Sequence, residues 1–181
     1  MTFDSHPSGP HTLLSMIEIL AQDSKAAGTA TAFGEFGLDY DRLFHAPKET
    51  QLKYFEAQLE VAVNVQLPLF LHSRAAHEEF VRLLKKVLGE KLEKIEKGGL
   101  VHSFTGTVEE MQELVALGLH VGVNGCSMKT EENLEVVKAI PLDRLQIETD
   151  GPWVSGPISV FTLSKTPAYT RFPLEYPSLL V

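Results

Sequence analysis

Four side chains of the types that bind divalent metal ions stand at or beside the ends of short apolar runs. They are Glu35, His72, His102 and Asp150. A set of two imidazoles and two carboxylates suits zinc, manganese or magnesium. Such an ion lowers the pKa of bound water and neutralises charge on a phosphoryl oxygen, and a carboxylate beside two ions can bridge them. The set therefore indicates metal-assisted hydrolysis.

Each of these residues also has a purely structural interpretation. Glu35 could be a loop acid that accepts backbone hydrogen bonds, and a lone histidine at a strand end is more often structural than a ligand. Asp150 could cap or turn the chain ahead of Gly151. The spacing favours the metal site, because Glu35, His72 and His102 are separated by about one strand–helix unit each. Residues at equivalent points of such units meet at the carboxyl edge of a parallel sheet.

Strand and helix patterns alternate along the chain, which predicts an α/β fold with a parallel sheet. The apolar runs predict five strands, at 31–34, 67–71, 99–102, 119–123 and 145–147. Apolar residues at helical spacing predict helices at 48–65, 75–88, 107–117 and 131–139, with an earlier one at about 12–21. Thr107 with Glu110 three positions on predicts a capping box.

Composition and charge restrict the function. With 181 residues, 44% hydrophobic and 22% charged, the chain has the size and make-up of one globular domain, and no apolar run is long enough to span a membrane. At a net charge of −8, binding to nucleic acid by phosphate neutralisation alone is excluded, so action on phosphodiesters requires positive charge from metal. The lone Cys126 and the absence of a secretory pattern at Met1 favour the cytoplasm, with the nucleus also open.

Other residues receive weaker interpretations. Arg74 could contact a substrate phosphate or form a salt bridge at a helix start. Cys126 has no arrangement typical of a nucleophile, so an inert thiol is expected. The remaining histidines without partners at matching positions, expected to be solvated or cap-like, are His45, His77 and His120.

Four motifs in register resemble the TatD family of metal-dependent deoxyribonucleases. They are GEFGLDY at 34–40, PLFLHSR at 68–74, VHSFTGT at 101–107 and IETDGPW at 147–153, and NGCSMKT at 124–130 is similar to the eukaryotic branch. His6-Pro7 matches an earlier element of the family by a dipeptide alone.

The resemblance implies a TIM-type barrel of the amidohydrolase kind and metal-dependent cleavage of single-stranded DNA from a 3′ end. Glu35 would be the bridging carboxylate, and His72 and His102 would bind one ion. Asp150 would bind metal and orient or deprotonate the attacking water. His6 and Arg74 would lie near the substrate.

A complete (β/α)₈ barrel takes about 250 residues, so this chain would hold about five of the eight strands. We expect residues 1–153 to form an incomplete TatD-like barrel and 154–181, which contain four prolines, to be a divergent, disordered tail. Open sheet edges should favour self-association. Two alternatives stay open: a non-catalytic remnant that binds metal or a protein partner, and an amidohydrolase acting on a small cyclic amide or ester.

Overall fold

Five parallel strands form one sheet whose order follows the chain. The structure, a computed structural model, describes residues 3–151. Each strand pairs in parallel with the next. The strands are β1 (Phe33–Asp39), β2 (Leu69–Arg74), β3 (Gly99–Val101), β4 (His120–Val123) and β5 (Leu145–Ile147). The predicted number and direction of strands are confirmed.

Helices connect successive strands, as parallel pairing requires. They are α1 (Gly9–Ala26), α2 (Lys48–Val65), α3 (His77–Leu88), α4 (Val108–Ala116) and α5 (Glu131–Ala139), with short 3₁₀ turns at Phe3–Ser5, Tyr40–Arg42 and Cys126–Met128. The core lies between the helices and the sheet, where the buried rings of Phe55 in α2 and Phe80 in α3 stack with centroids 5.1 Å apart. This layer holds the strand ends in fixed relative positions.

All five predicted helices are present, and two of them, α2 and α5, have the predicted bounds. The Thr107–Glu110 capping box is present at the start of α4. Helix α3 begins two residues later than predicted because Ala75 has φ 51°, which a right-handed helix does not allow. Helix α1 is longer than predicted at both ends, and Pro10 lies in its first turn, where proline is tolerated.

The predicted ends of the first two strands were wrong. Strand β1 continues to Asp39 and β2 to Arg74, so Glu35 and His72 lie within strands instead of following them. The reason is tertiary: β1 and β2 pair along their whole length, up to Asp39 opposite Arg74. This pairing stabilises the polar ends of both strands, which the search for apolar runs in the sequence does not detect.

The expected tail at 154–181 lies outside the described residues. Among the helices of residues 3–151, none has the length and apolar character that crossing a bilayer requires.

Candidate metal centre

Glu35 occupies an irregularity in β1 that directs it toward β2. Gly34 pairs with Phe70 and Phe36 pairs with Leu71, so Glu35 is an extra residue in the register. Such a bulge re-aims a side chain and is frequent beside functional sites. The strands also approach closely here, because a Cβ on Gly37 would collide with the carbonyl oxygen of His72. The bulge and the glycine together bring the carboxylate of Glu35 next to the imidazole of His72.

Three of the four expected ligands meet at this edge of the sheet. His102 Nε2 lies 2.7 Å from Glu35 Oε1, and His72 Nδ1 lies 3.1 Å from His102 Nε2 and 3.4 Å from Glu35 Oε1. His102 is only 3% exposed, whereas Glu35 is about half exposed. Two imidazole nitrogens and a carboxylate oxygen within 4.8 Å of one another are a donor set that fits a divalent cation, with access from the side of Glu35.

Contacts within the cluster shift the pKa values of Glu35 and His102. Hydrogen bonds from His102 and His72 hold the pKa of Glu35 far below its usual range. Burial alone would lower the pKa of His102, but hydrogen bonds to Glu148 and Glu35 outweigh it and raise that pKa to about 9. A cation that binds this cluster at neutral pH must therefore displace a proton from His102.

Asp39 contacts the far nitrogen of His72. Its Oδ2 lies 3.2 Å from His72 Nε2, and its Oδ1 accepts a hydrogen bond from the Asp41 backbone N–H. Arg42 Nε and Arg74 Nη1 lie 3.6 and 3.9 Å from the same Oδ2. A carboxylate on the outer nitrogen orients a ligating histidine and fixes its tautomer.

Glu148 contacts the far side of His102. Its Oε2 lies 3.5 Å from His102 Nδ1, while its Oε1 accepts a hydrogen bond of 2.5 Å from the Ser103 backbone N–H. Each histidine thus has a carboxylate behind it. Sequence reasoning assigned no role to Asp39 or Glu148, although both stand in the quoted motifs GEFGLDY and IETDGPW.

Asp150 is outside the three-residue cluster and is held by its neighbours. Ser103 Oγ donates to Asp150 Oδ2 over 3.2 Å and accepts a 2.5 Å hydrogen bond from Asn124 Nδ2. Ser103 and Asp150 have φ angles of 50° and 51°, a left-handed conformation that costs non-glycine residues roughly 1–3 kcal/mol and is concentrated at functional sites. Asn124, in the loop after β4, is fully buried. It therefore holds Ser103 in place, and Ser103 in turn holds Asp150.

The other sequence-predicted residues lie in varied places. Arg74 is beside Asp39, next to the cluster. The hydrogen bonds and ion pairs of the described residues do not link His6 to the cluster; its Nδ1 accepts from the Ser8 N–H. His77, expected to be solvated or cap-like, is largely buried and paired with Glu113 at 3.0 Å. The thiol of Cys126 is only partly buried.

Comparison with known proteins gives the family. The family model described as "TatD related DNase" matches residues 3–173. The chain belongs to the TatD family. It is 58% identical over 151 residues to the deoxyribonuclease Tat-D of Schizosaccharomyces pombe, which covers 83% of this chain and 47% of that protein. It is 41% identical over 143 residues to the Escherichia coli protein named 3'-5' ssDNA/RNA exonuclease TatD, covering 77% of the chain and 51% of the relative.

Solved structures give the same family and fold. The chain aligns with an uncharacterized amidohydrolase from Saccharomyces cerevisiae at a TM-score of 0.68 and 34% identity, covering 82% of this chain and 49% of the other. A TatD family hydrolase from Entamoeba histolytica aligns at 0.64 and 38% identity, covering 75% and 44%. The expected fold, a partial TIM barrel of the amidohydrolase type, is confirmed. This TatD chain spans about half the length of the curated relatives it matches.

Proposed function

We propose that this TatD chain is a metal-dependent deoxyribonuclease that hydrolyses phosphodiester bonds of single-stranded DNA from a 3′ end. The observation that carries the proposal is the convergence of Glu35, His72 and His102 at one rim in a member of this family. We further propose one or two ions of magnesium, manganese or zinc as the cofactor. Bound there, a divalent ion would lower the pKa of water and neutralise charge on a phosphoryl oxygen.

Each side chain of the site has a separate role in this proposal. Glu35, His72 and His102 hold the cation, and the exposed side of Glu35 leaves room for a phosphate. Asp150, oriented by Ser103, would hold or remove the proton of the attacking water, and would add a ligand when a second ion binds. Arg74, beside Asp39, would bind a phosphate oxygen of the substrate. His6 is the least supported member of this set, because its described contact is local.

The overall charge supports this metal-centred form of binding. At a net charge of −8 the protein repels a polyanion at long range, so affinity must come from the cations and arginines of the rim. Binding should therefore be short-ranged and strongly dependent on the divalent ion.

A second candidate, a non-catalytic chain that binds metal or a protein partner, is favoured by one observation. The chain spans about half the length of its curated relatives, and a complete barrel supplies further strand ends to such a site. Calorimetric titration of the chain with Mn²⁺, run beside a cleavage assay, separates the two. Binding without cleavage supports the second candidate.

The test of the first proposal is release of nucleotides from single-stranded DNA labelled at either end, with added Mn²⁺ or Mg²⁺. We expect the unmodified chain and His120→Ala to shorten the strand from its 3′ end, and His102→Ala to be inactive. His120 is a matched control because it lies at the opposite end of its strand, at the start of β4. Equal rates for His102→Ala and the unmodified chain would refute the proposal, as would no cleavage by any of them.

We also propose domain bounds, self-association and a cellular location for this chain. Residues 1–153 would form the incomplete barrel and 154–181 a separate tail, although the family match extends to residue 173. The open sheet edges would promote self-association. The location would be the cytoplasm or the nucleus, which the single cysteine favours.

A further inference from the structure

A turn between β1 and α2 exposes an aromatic ring beside the metal centre. Phe44 is 78% exposed, the highest fraction among the exposed large hydrophobic residues of the described chain. Its ring lies against that of His45, with centroids 4.3 Å apart. Leu43 beside it is also exposed. Phe44 is not among the buried residues that form the core, so most of its ring surface is accessible to a ligand.

An open cavity joins this turn to the metal centre. It has a volume of about 340 Å³, and its lining includes Glu35, Asp39, Arg42, His45, Gln51 and His72. The same cavity therefore touches two of the three clustered ligands at one end and the residues flanking Phe44 at the other. A chain-like ligand held at the metal centre could continue along it to the aromatic ring.

One guanidinium, that of Arg42, lies along this path beside the carboxylates of Glu35 and Asp39. The Arg42 side chain is 57% exposed and lies 3.6 Å from Asp39 Oδ2, the carboxylate that also contacts His72. Asp39 thus anchors the arginine beside the cavity while leaving much of it accessible. A guanidinium next to an exposed ring matches a phosphate next to a base.

We propose that the turn at 42–45 is a nucleotide subsite in which an unpaired base stacks on Phe44 and the adjoining phosphate binds Arg42. The occupant is a single-stranded nucleotide, because paired bases do not offer a face to the ring. This proposal rests on the proposed function only in taking single-stranded DNA as the substrate. Binding at the subsite does not require that the DNA is cleaved. Stacking of bases on aromatic side chains tolerates any sequence, so the subsite would select single strands without selecting a base.

The experiment pairs a change in the protein with a change in the DNA. Binding of the full chain to fluorescein-labelled oligothymidylate is measured by fluorescence anisotropy with Mn²⁺ present, using phosphorothioate linkages so that the strand resists cleavage. The series includes strands in which one abasic residue is moved stepwise from the 3′ end. We expect Phe44→Ala to weaken binding about 5- to 100-fold. With the abasic residue at the position that faces Phe44, the same substitution should have little effect.

Matched variants separate stacking from damage to the fold. Phe44→Trp should retain the sensitivity to the abasic residue, and Leu142→Ala, a similarly exposed apolar position at 60% in the loop before β5, should bind as the unmodified chain does. Arg42→Gln should reduce the salt dependence of binding by about 0.7 in log K per log salt, the value for one phosphate contact to a single strand. Lys97→Gln, the same charge change at an exposed site before β3, should leave that slope unchanged.

The outcomes are distinct for the subsite and for the proposed activity. Loss of the abasic effect in Phe44→Ala establishes the subsite even if the chain cleaves no DNA, in which case only the proposed activity fails. The subsite is refuted if Phe44→Ala binds intact strands as tightly as the unmodified chain does, if it weakens binding equally for intact and abasic strands, or if the unmodified chain does not bind. The proposed activity survives each of these results if cleavage is still observed.

Discussion

The two clustered histidines present different nitrogens to the same point. His72 directs Nδ1 and His102 directs Nε2 toward Glu35 Oε1. The choice follows from the carboxylates behind them, since Asp39 faces Nε2 of His72 and Glu148 faces Nδ1 of His102. A carboxylate that accepts a hydrogen bond from the outer ring N–H keeps a proton on that nitrogen, so that the inner nitrogen can offer its lone pair to a cation.

Asp39→Asn should therefore weaken divalent metal binding by about 10- to 100-fold. The amide is a weaker acceptor than the carboxylate, so the tautomer of His72 with its lone pair on Nδ1 is less favoured. The measurement is calorimetric titration with Mn²⁺. Asp143→Asn, which alters an exposed aspartate paired only with the adjacent Arg144, is the control. Unchanged affinity in Asp39→Asn would show that the contact does not orient His72.

Metal binding should also release a proton. The pKa of His102 is raised to about 9 in the ion-free chain, so this imidazole is protonated at neutral pH and must lose its proton to bind a cation. The logarithm of the Mn²⁺ affinity should rise by about one for each pH unit between about pH 6.5 and 8.5, because one proton is displaced. Titrations in buffers of different ionisation enthalpy count the protons, and a pH-independent affinity would contradict the assignment.

Stability of the ion-free chain should show the opposite trend. A pKa raised by folding stabilises the protein below the unfolded value, near 6.5, and this stabilisation is lost as pH rises through about 9. The melting temperature in EDTA should therefore fall over that interval. His102→Ala should remove this component of the fall, and a profile identical to that of the unmodified chain would be inconsistent with the raised pKa.

At the scale of elements, the parts predictable from sequence are those determined by nearby residues. Helices α2 and α5 follow from apolar spacing within their own segments, and the α4 cap from Thr107 and Glu110. The ends of β1 and β2 depend on pairing between segments some 35 residues apart, which no local pattern encodes. The outer carboxylates were missed for the same reason, since their roles depend on the relative placement of neighbouring strands.

The close approach of β1 and β2 gives a prediction for Gly37. Gly37→Ala should destabilise the chain by about 3 kcal/mol or more, because the added methyl collides with the backbone of His72 and backbone atoms cannot rotate away. It should also abolish Mn²⁺ binding by separating Glu35 from His72. Gly28→Ala is the control: its φ of +70° carries a strain of about 1–2 kcal/mol, but no atom lies within 4 Å of the new methyl. Equal urea midpoints for the two variants would rule out the collision.

At the scale of the whole molecule, the two edge strands of the sheet are each paired along one side only. Within residues 3–151, β1 pairs with β2 and β5 pairs with β4, and their other sides have no strand partner. Parallel sheets ordinarily close into barrels or have their edges covered, because unpaired backbone groups at an edge can form hydrogen bonds with a strand of another chain. At β5 the edge is also apolar, since Ile147 is 59% exposed.

Association through β5 should therefore respond to charge at Ile147. Sedimentation equilibrium of the full chain should show a concentration-dependent rise in mass above the 20.0 kDa monomer, and Ile147→Lys should shift it toward monomer, since a lysine at an edge opposes pairing. Leu142→Lys, with the same charge change at a similarly exposed residue that lies in the preceding loop and not on the strand, should leave the association unchanged. If the unmodified chain sediments as a monomer at all concentrations and melts cooperatively, the described edges do not drive association. The helices packed on one face of the sheet would then suffice to stabilise five strands, which would make this part of the TatD barrel an autonomous folding unit.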